Sequence, residues 1–179
     1  MSRVDIRKKL EKISFNNLDT FVLSYLAFFI AFIAVATYLH LPGPSSSYFN
    51  LGEVAIYIIA ISFGKKAGGI SAAFGSALMD ILLGYSIWAP FSFIIKGTEA
   101  WIVGSIANNK GKSWKRSILA IFIAGNFMVI AYAFTKGILI GWPAVIPEIG
   151  IDYMQMIIGG AIALPIAQSL RRYLNNGKN

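Results

Sequence analysis

Fourteen of the sixteen Lys and Arg residues in this 179-residue chain fall in four short stretches, 3–12, 65–66, 110–116 and 171–178, and long apolar runs separate them. The three connections that alternate with those stretches carry none. Lys and Arg are retained on the cytoplasmic side when a polytopic membrane protein inserts, so the alternation reads as a record of orientation. Both chain ends are then expected in the cytoplasm, after an even number of crossings. With 56% hydrophobic and 13% charged residues and a mean hydropathy of +0.65, the chain is far more apolar than a soluble domain of its length requires.

The same composition narrows the function. A net charge of +8 could serve nucleic acid, but the basic residues sit in short clusters beside apolar runs, where anionic lipid headgroups are the nearer partner. No nucleic acid is expected. The absence of cysteine excludes disulfides, thiol catalysis and thiolate metal sites. His40 is the single histidine, so the chain offers no His pair for zinc and no plausible Ser/His/Asp arrangement in the membrane. An aspartyl dyad would require Asp80 and Asp152 to approach, and Lys96-Gly97 stands alone without a Walker A motif. No catalytic residue, metal or cofactor is expected, which leaves binding or transport. The apolar run from Phe21 is too long for a signal-peptide core and lacks a small-residue cleavage site, so no cleaved signal is expected.

At about twenty residues per crossing, the pattern predicts an all-α membrane protein of six transmembrane helices. The expected spans are 19–40, 51–64, 67–84, 89–109, 117–141 and 149–170. The second is short enough to be re-entrant, but an uncharged loop before it and Lys65-Lys66 after it argue for a full crossing. A Pro- and Ser-rich outer loop at 41–47 and a break at Trp142-Pro143 separate spans on the outer side. The domain plan is a cytoplasmic basic segment at 1–18, one six-helix domain at 19–172 and a cytoplasmic tail at 173–179.

Lipid supplies no hydrophobic drive between helices, so close helix contact depends on small side chains. The third span presents Gly68, Ala72 and Ser76 at four-residue spacing, read as internal packing. The first presents Ser24, Ala27, Ala31 and Ala34, a face suited equally to internal packing and to docking against another membrane subunit.

Ionisable groups at membrane depth are costly and normally face a cavity or a partner. Glu53, Asp80, Lys96, Glu99 and Lys136 qualify. Lys96 and Glu99 are three apart on one helix and can meet, either as a packing ion pair or as a polar wall of a cavity. Glu53 opens the second span, where the helix dipole favours an acid, so capping competes with a binding role. Asp80 is expected to be hydrated or paired with Lys96, and Lys136 to snorkel to the outer interface. Aromatics gather on the same outer side: Tyr48, Phe49, Tyr85, Trp88, Phe91, Trp142 and Tyr153. An interfacial belt explains many of them, but not the company of Asn50, Asn126, Asp152 and Gln155. Flat rings with a few hydrogen-bonding groups suit a small heteroaromatic molecule.

Three blocks then carry a family resemblance: Asn50-Leu51-Gly52-Glu53; the Gly- and Ala-rich run ending Ser76-Ala77-Leu78-Met79-Asp80; and Trp88-Ala89-Pro90-Phe91-Ser92 followed by Lys96-Gly97-Thr98-Glu99. They resemble the S components of energy-coupling factor (ECF) vitamin transporters, in the branch with hydroxymethylpyrimidine, pyridoxine, alpha-ribazole and riboflavin-type members. The resemblance implies a six-helix subunit of a prokaryotic plasma membrane that binds a vitamin near the extracellular side. It also implies docking through the first helix, here Ala27 and Ala31, on a transmembrane coupling subunit driven by two cytoplasmic ATPases. Transport would proceed by toppling of the whole subunit. ATP hydrolysis would belong to those partners. Two positions depart from the family pattern, which usually has Asp at Glu53 and Asn at Asp152. On this reading Trp88, Trp142 and Tyr132 are stacking walls, while Asn50, Asn126, Gln155, Asp152, Glu53, Lys96 and Glu99 supply hydrogen bonds and orientation. The rival reading is an autonomous ion-coupled carrier or channel using Lys96, Glu99 and Asp80, although the chain shows no internal repeat of the kind such carriers carry. A membrane assembly factor without a ligand is a third.

Overall fold

The computed structural model describes residues 3–13, 19–43, 48–108 and 113–175. In chain order they form α1 (Arg3–Glu11), α2 (Thr20–Tyr38), β1 (His40–Pro42), β2 (Tyr48–Asn50), α3 (Gly52–Phe63), α4 (Lys65–Leu82), α5 (Ala89–Ala107), α6 (Trp114–Leu139) and α7 (Val145–Asn175). The six segments expected as helices fall on α2 through α7, with ends displaced by a few residues. Residues 44–47 and the basic positions 110, 112 and 178 lie outside the described residues.

Two elements lie outside the six expected helices. The loop after α2 folds back as an antiparallel ribbon in which His40, Leu41 and Pro42 face Asn50, Phe49 and Tyr48. Pairing of the two strands satisfies backbone groups that an irregular loop would leave open. The basic N-terminal segment is helical because Ile6, Leu10 and Ile13 recur at helical spacing. Leu10 and Ile13 are buried, while Lys8, Lys9 and Lys12 remain exposed. Just beyond, Asp19 caps α2 by accepting a hydrogen bond from the Val22 amide at 2.8 Å, and Lys9 lies 2.5 Å from its other oxygen. The hydrogen bond from Lys9, helped by the Val22 amide, holds the Asp19 carboxyl below its ordinary range.

α3 is the centre of the bundle. Of its twelve residues only Val54 is not buried, which accounts for a run that is apolar on every side. It turns into α4 across Gly64, whose φ of +94° is left-handed backbone that a side chain would strain. Gly68, Ala72 and Ser76 of α4 do face inward, and a Cβ at Gly68 would come within 2.7 Å of the Ala60 backbone. α6 and α7 are joined by a 3-10 turn at Trp142–Ala144, the site of the expected break. α7 starts four residues earlier than the hydrophobic pattern indicates, because Pro147 falls in its first turn, where a missing amide proton has no cost.

Polarity runs inside out relative to a soluble protein. Phe28, Phe32 and Val35 of α2, Phe74, Leu78 and Ile81 of α4, Phe122, Ile130 and Phe134 of α6, and Ile157 and Ile166 of α7 are all exposed. Glu53, Asp80, Lys96, Glu99, Lys136 and Asp152 are buried. Three helical stretches are long and apolar enough to cross a membrane: Thr20–Tyr38, Trp114–Leu139 and Trp142–Asn175. α3 is equally apolar but shorter, and α5 carries Lys96 and Glu99 within its length.

Two members of the basic stretches turn inward instead of outward. Arg171 is buried and donates to the carbonyls of Ile61 and Ala107, at 2.6 and 2.8 Å, and to Asn108 Oδ1 at 2.8 Å. Arg7 reaches the same Asn108 oxygen at 2.7 Å, along with Asn175 and Glu11. Between them they tie α1 and the ends of α3, α5 and α7 together, supplying donors to terminal carbonyls that lack helical partners.

Candidate functional site

A cavity of about 570 Å³, counted with its open mouth, lies at the end of the bundle that carries the ribbon. Its walls come from α2 and β2, the first half of α3, the second halves of α4 and α6, and the first halves of α5 and α7.

Four polar groupings build it. On the ribbon side, the Asn50 amide donates to Gln155 Oε1 at 2.9 Å, as does its side-chain amide, and Asn50 Oδ1 accepts from the Gly52 amide at 2.7 Å. Gln155 Nε2 points on to Asp152 Oδ1 at 3.3 Å. At the floor, Lys96 Nζ bonds Glu53 Oε1 and lies 3.4 Å from Glu99 Oε2. Glu99 Oε1 in turn accepts from the Tyr57 hydroxyl at 2.8 Å. Glu53 reaches this position because Gly159 lets α7 close on α3: a Cβ there would stand 2.5 Å from the Glu53 Cβ. On the aromatic side, the Trp88 and Tyr132 rings lie 6.4 Å apart at 45°, and the Tyr132 hydroxyl donates to Ser92 at 2.8 Å. Behind Trp88, Lys136 pairs with Glu148 at 2.8 Å and sits 5.3 Å from the indole centroid. The fourth grouping is the Tyr48 hydroxyl donating to Asp80 Oδ1 at 2.7 Å.

Three buried carboxylate oxygens, Glu53 Oε2, Asp80 Oδ2 and Asp152 Oδ2, have no hydrogen-bond partner among the described residues. Each belongs to a side chain that lines the cavity. Buried acceptors are nearly always satisfied in native proteins, so three around one space set it apart from the rest of the interior.

Of the residues singled out from the sequence, Asn50, Glu53, Trp88, Lys96, Tyr132, Asp152 and Gln155 line this cavity, and Glu99 stands directly behind Lys96. Two do not. Trp142 is 64% exposed, because the turn after Gly141 folds its ring back over Gly137 on the outside of α6. Asn126 uses its amide locally, donating to the Phe122 carbonyl and accepting from the Tyr153 hydroxyl. Other expectations are also revised. Lys136 does not snorkel; it is fully buried against Glu148. Asp80 bonds Tyr48, with no bond to Lys96, and Glu53 serves as the partner of Lys96, not as a simple cap. Glu148, Tyr48, Thr37, Ser76, Ser92 and Ile56 line the cavity without having been singled out as site residues. Glu148 was legible in principle, as an acid inside an apolar stretch on the far side of a break from a buried lysine. Ala27 and Ala31 are exposed on α2, away from the site.

A helical bundle with apolar outer faces and charges gathered around one terminal cavity has the character of a membrane protein with a polar interior. The chain belongs to the S-component family of ECF-type riboflavin transporters, whose profile matches residues 17–172. It is 35% identical over 136 residues to a Pyrococcus woesei protein named "Uncharacterized protein in gap 3'region", covering 73% of this chain and 90% of that one. It is 27% identical over 132 residues to the thiamine precursor transporter HmpT of Lactococcus lactis subsp. cremoris, covering 74% and 75%. The solved structure of an S component of a bacterial ECF transporter shares the fold, with a TM-score of 0.71 at 19% identity over 85% of this chain and 96% of that one.

Proposed function

We propose that this chain captures a water-soluble vitamin or vitamin precursor, a small heteroaromatic, for an ECF-type importer. The observation that carries the reading is the cavity, where Trp88 and Tyr132 offer ring surfaces beside the fixed hydrogen-bonding set of Asn50, Gln155, Asp152, Glu53 and Lys96. Flat apolar walls gain from stacking, and enclosed polar groups reject molecules that leave them unpaired. The likeness to a thiamine precursor transporter supports a ligand of vitamin-precursor size.

In this reading α2 to α7 cross the plasma membrane six times with both ends cytoplasmic, and the cavity opens towards the extracellular side. The exposed Ala27/Ala31 face of α2 docks on a transmembrane coupling subunit, and two cytoplasmic ATPases supply the energy. Mass spectrometry of small molecules that co-purify in detergent, followed by calorimetry with a vitamin panel, tests the binding role. Retention of nothing and binding of no panel member would refute it.

The buried series of Glu53, Lys96 and Glu99 is the feature that favours an ion-coupled carrier instead. Uptake into proteoliposomes driven by an ion gradient, with no ATPase present, would establish that rival.

A further inference from the structure

We propose that the outward face of α1 is a docking surface for anionic phospholipid headgroups, with Lys8 and Lys12 as its contacts. The inference rests on the membrane placement proposed above and is independent of what the cavity binds.

Charge is sorted between the two ends of the bundle. Of the eight Asp and Glu residues, Glu53, Asp80, Glu99, Glu148 and Asp152 are buried in the cavity wall or directly behind it. The other three, Asp5, Glu11 and Asp19, all precede α2. Glu11 is engaged by Arg7 and Asp19 by Lys9. At the end of the bundle opposite the cavity, Lys8, Lys12, Lys65, Lys115 and Arg172 are exposed, and none has a carboxylate within salt-bridge reach among the described residues. That end is therefore a cationic surface with almost no internal counter-charge, and it faces the level at which a bilayer offers phosphates.

A mobile basic tail would leave such charges to solvent ions, but α1 is fixed. Leu10 and Ile13 are buried in the core, and Arg7 donates to Asn108 Oδ1 at 2.7 Å and to Asn175 Oδ1 at 3.1 Å. Lys66 at the start of α4 donates to the Ile13 carbonyl at 2.5 Å. With its apolar side used against the protein, the helix turns only its basic side outward, so its contact with a membrane is electrostatic and does not involve insertion. Lysines already held in place also lose less freedom on binding than those of a tail. The depth suits headgroups: Trp101 and Trp114, 42% and 46% exposed, lie at this same end, and Lys65 Nζ sits 5.0 Å from the Trp101 ring centroid. Exposed indoles beside basic residues mark the headgroup level of a membrane protein.

The test places the full chain in bilayers of phosphatidylcholine with brominated acyl chains, which quench tryptophan fluorescence, and adds phosphatidylglycerol with ordinary chains as competitor. A Trp142→Phe background leaves Trp101 and Trp114 as the exposed reporters, both at the end in question. At low salt, phosphatidylglycerol should be preferred about fivefold or more, the scale of one lysine beside an anionic surface. Lys8→Gln combined with Lys12→Gln should cut that preference at least about threefold, whereas Lys8→Arg with Lys12→Arg should keep it. Salt at about 1 M, where the screening length is about 3 Å, should erase it. Inorganic phosphate at matched ionic strength should leave it unchanged; a preference abolished by phosphate would mean that the face takes a free anion and would overturn the lipid surface. Equal binding of the two lipids, or a preference untouched by the double Gln variant, also overturns it and leaves the membrane placement standing. Absence of any quenching by the brominated lipid overturns the membrane placement itself.

Discussion

Replacing Lys96 by methionine preserves most of the side-chain volume and deletes the charge that Glu53 and Glu99 share. The lysine is 7% exposed, Glu53 1% and Glu99 fully buried, so water cannot substitute for the lost ammonium. Tyr57 still donates to one Glu99 oxygen, but Glu53 is left with none of its present partners. Removing one member of a buried ion pair costs about 3–5 kcal/mol. For a chain of this length each kcal/mol lowers Tm by about 2–4 °C, so a fall of about 6–20 °C is expected. Thermal unfolding in detergent, followed by tryptophan fluorescence, reads this directly. The control is Lys96→Met combined with Glu53→Gln and Glu99→Gln, which removes the stranded charges and should recover most of the loss through strong non-additivity. A single mutant within about 2 °C of the parent, or a triple mutant no better than the single, would refute the account of Lys96 as the shared counter-ion.

Gly159→Ala places a Cβ 2.5 Å from that of Glu53, so α3 and α7 must separate, and both Tm and ligand affinity should fall, by about 1–3 kcal/mol in stability. Trp88→Ala should weaken ligand binding roughly tenfold, the scale of a lost stacking face, whereas Trp142→Ala, outside the cavity, should leave calorimetric affinity unchanged. Ala27→Trp on the exposed face of α2 should abolish uptake in cells while equilibrium binding in detergent persists; lost binding would place that face in the core instead. The Asp19 carboxyl titrates below its ordinary value of 3.8 when folded, so its stabilising effect is complete above that pH and fades as pH falls through the lowered value. The stability gap between the parent and Asp19→Ala should accordingly be constant at neutral pH and close in strong acid.

Much of this molecule was readable because two signals do not depend on tertiary contacts. Apolar run length marked out the six helices from α2 to α7, and the break at Trp142-Pro143 fell where a helix ends. Composition alone also excluded thiol chemistry and thiolate metal sites, since residues that are missing cannot be assembled by any fold. Rare ionisable groups in apolar segments pointed to Glu53, Lys96 and Glu99, because burying charge in such surroundings is costly enough that each must meet something.

Which partner each group meets was decided only in three dimensions. Lys96 and Glu99 were visible as neighbours three residues apart, but Glu53 is 43 residues from Lys96 and reaches it only where α3 and α5 cross. Lys136 and Glu148 face each other across a reversal of chain direction, so no periodicity within one helix could pair them. The two candidates that lie off the cavity do so for the same reason: Trp142 and Asn126 have suitable chemistry, but a left-handed Gly141 and a local bond to Phe122 direct them elsewhere. Sequence fixes what a segment must bury and how far it can run, because those depend on composition and length. The direction a side chain faces across a helix–helix contact depends on the rotation and depth of both helices, and that information exists only once they have packed.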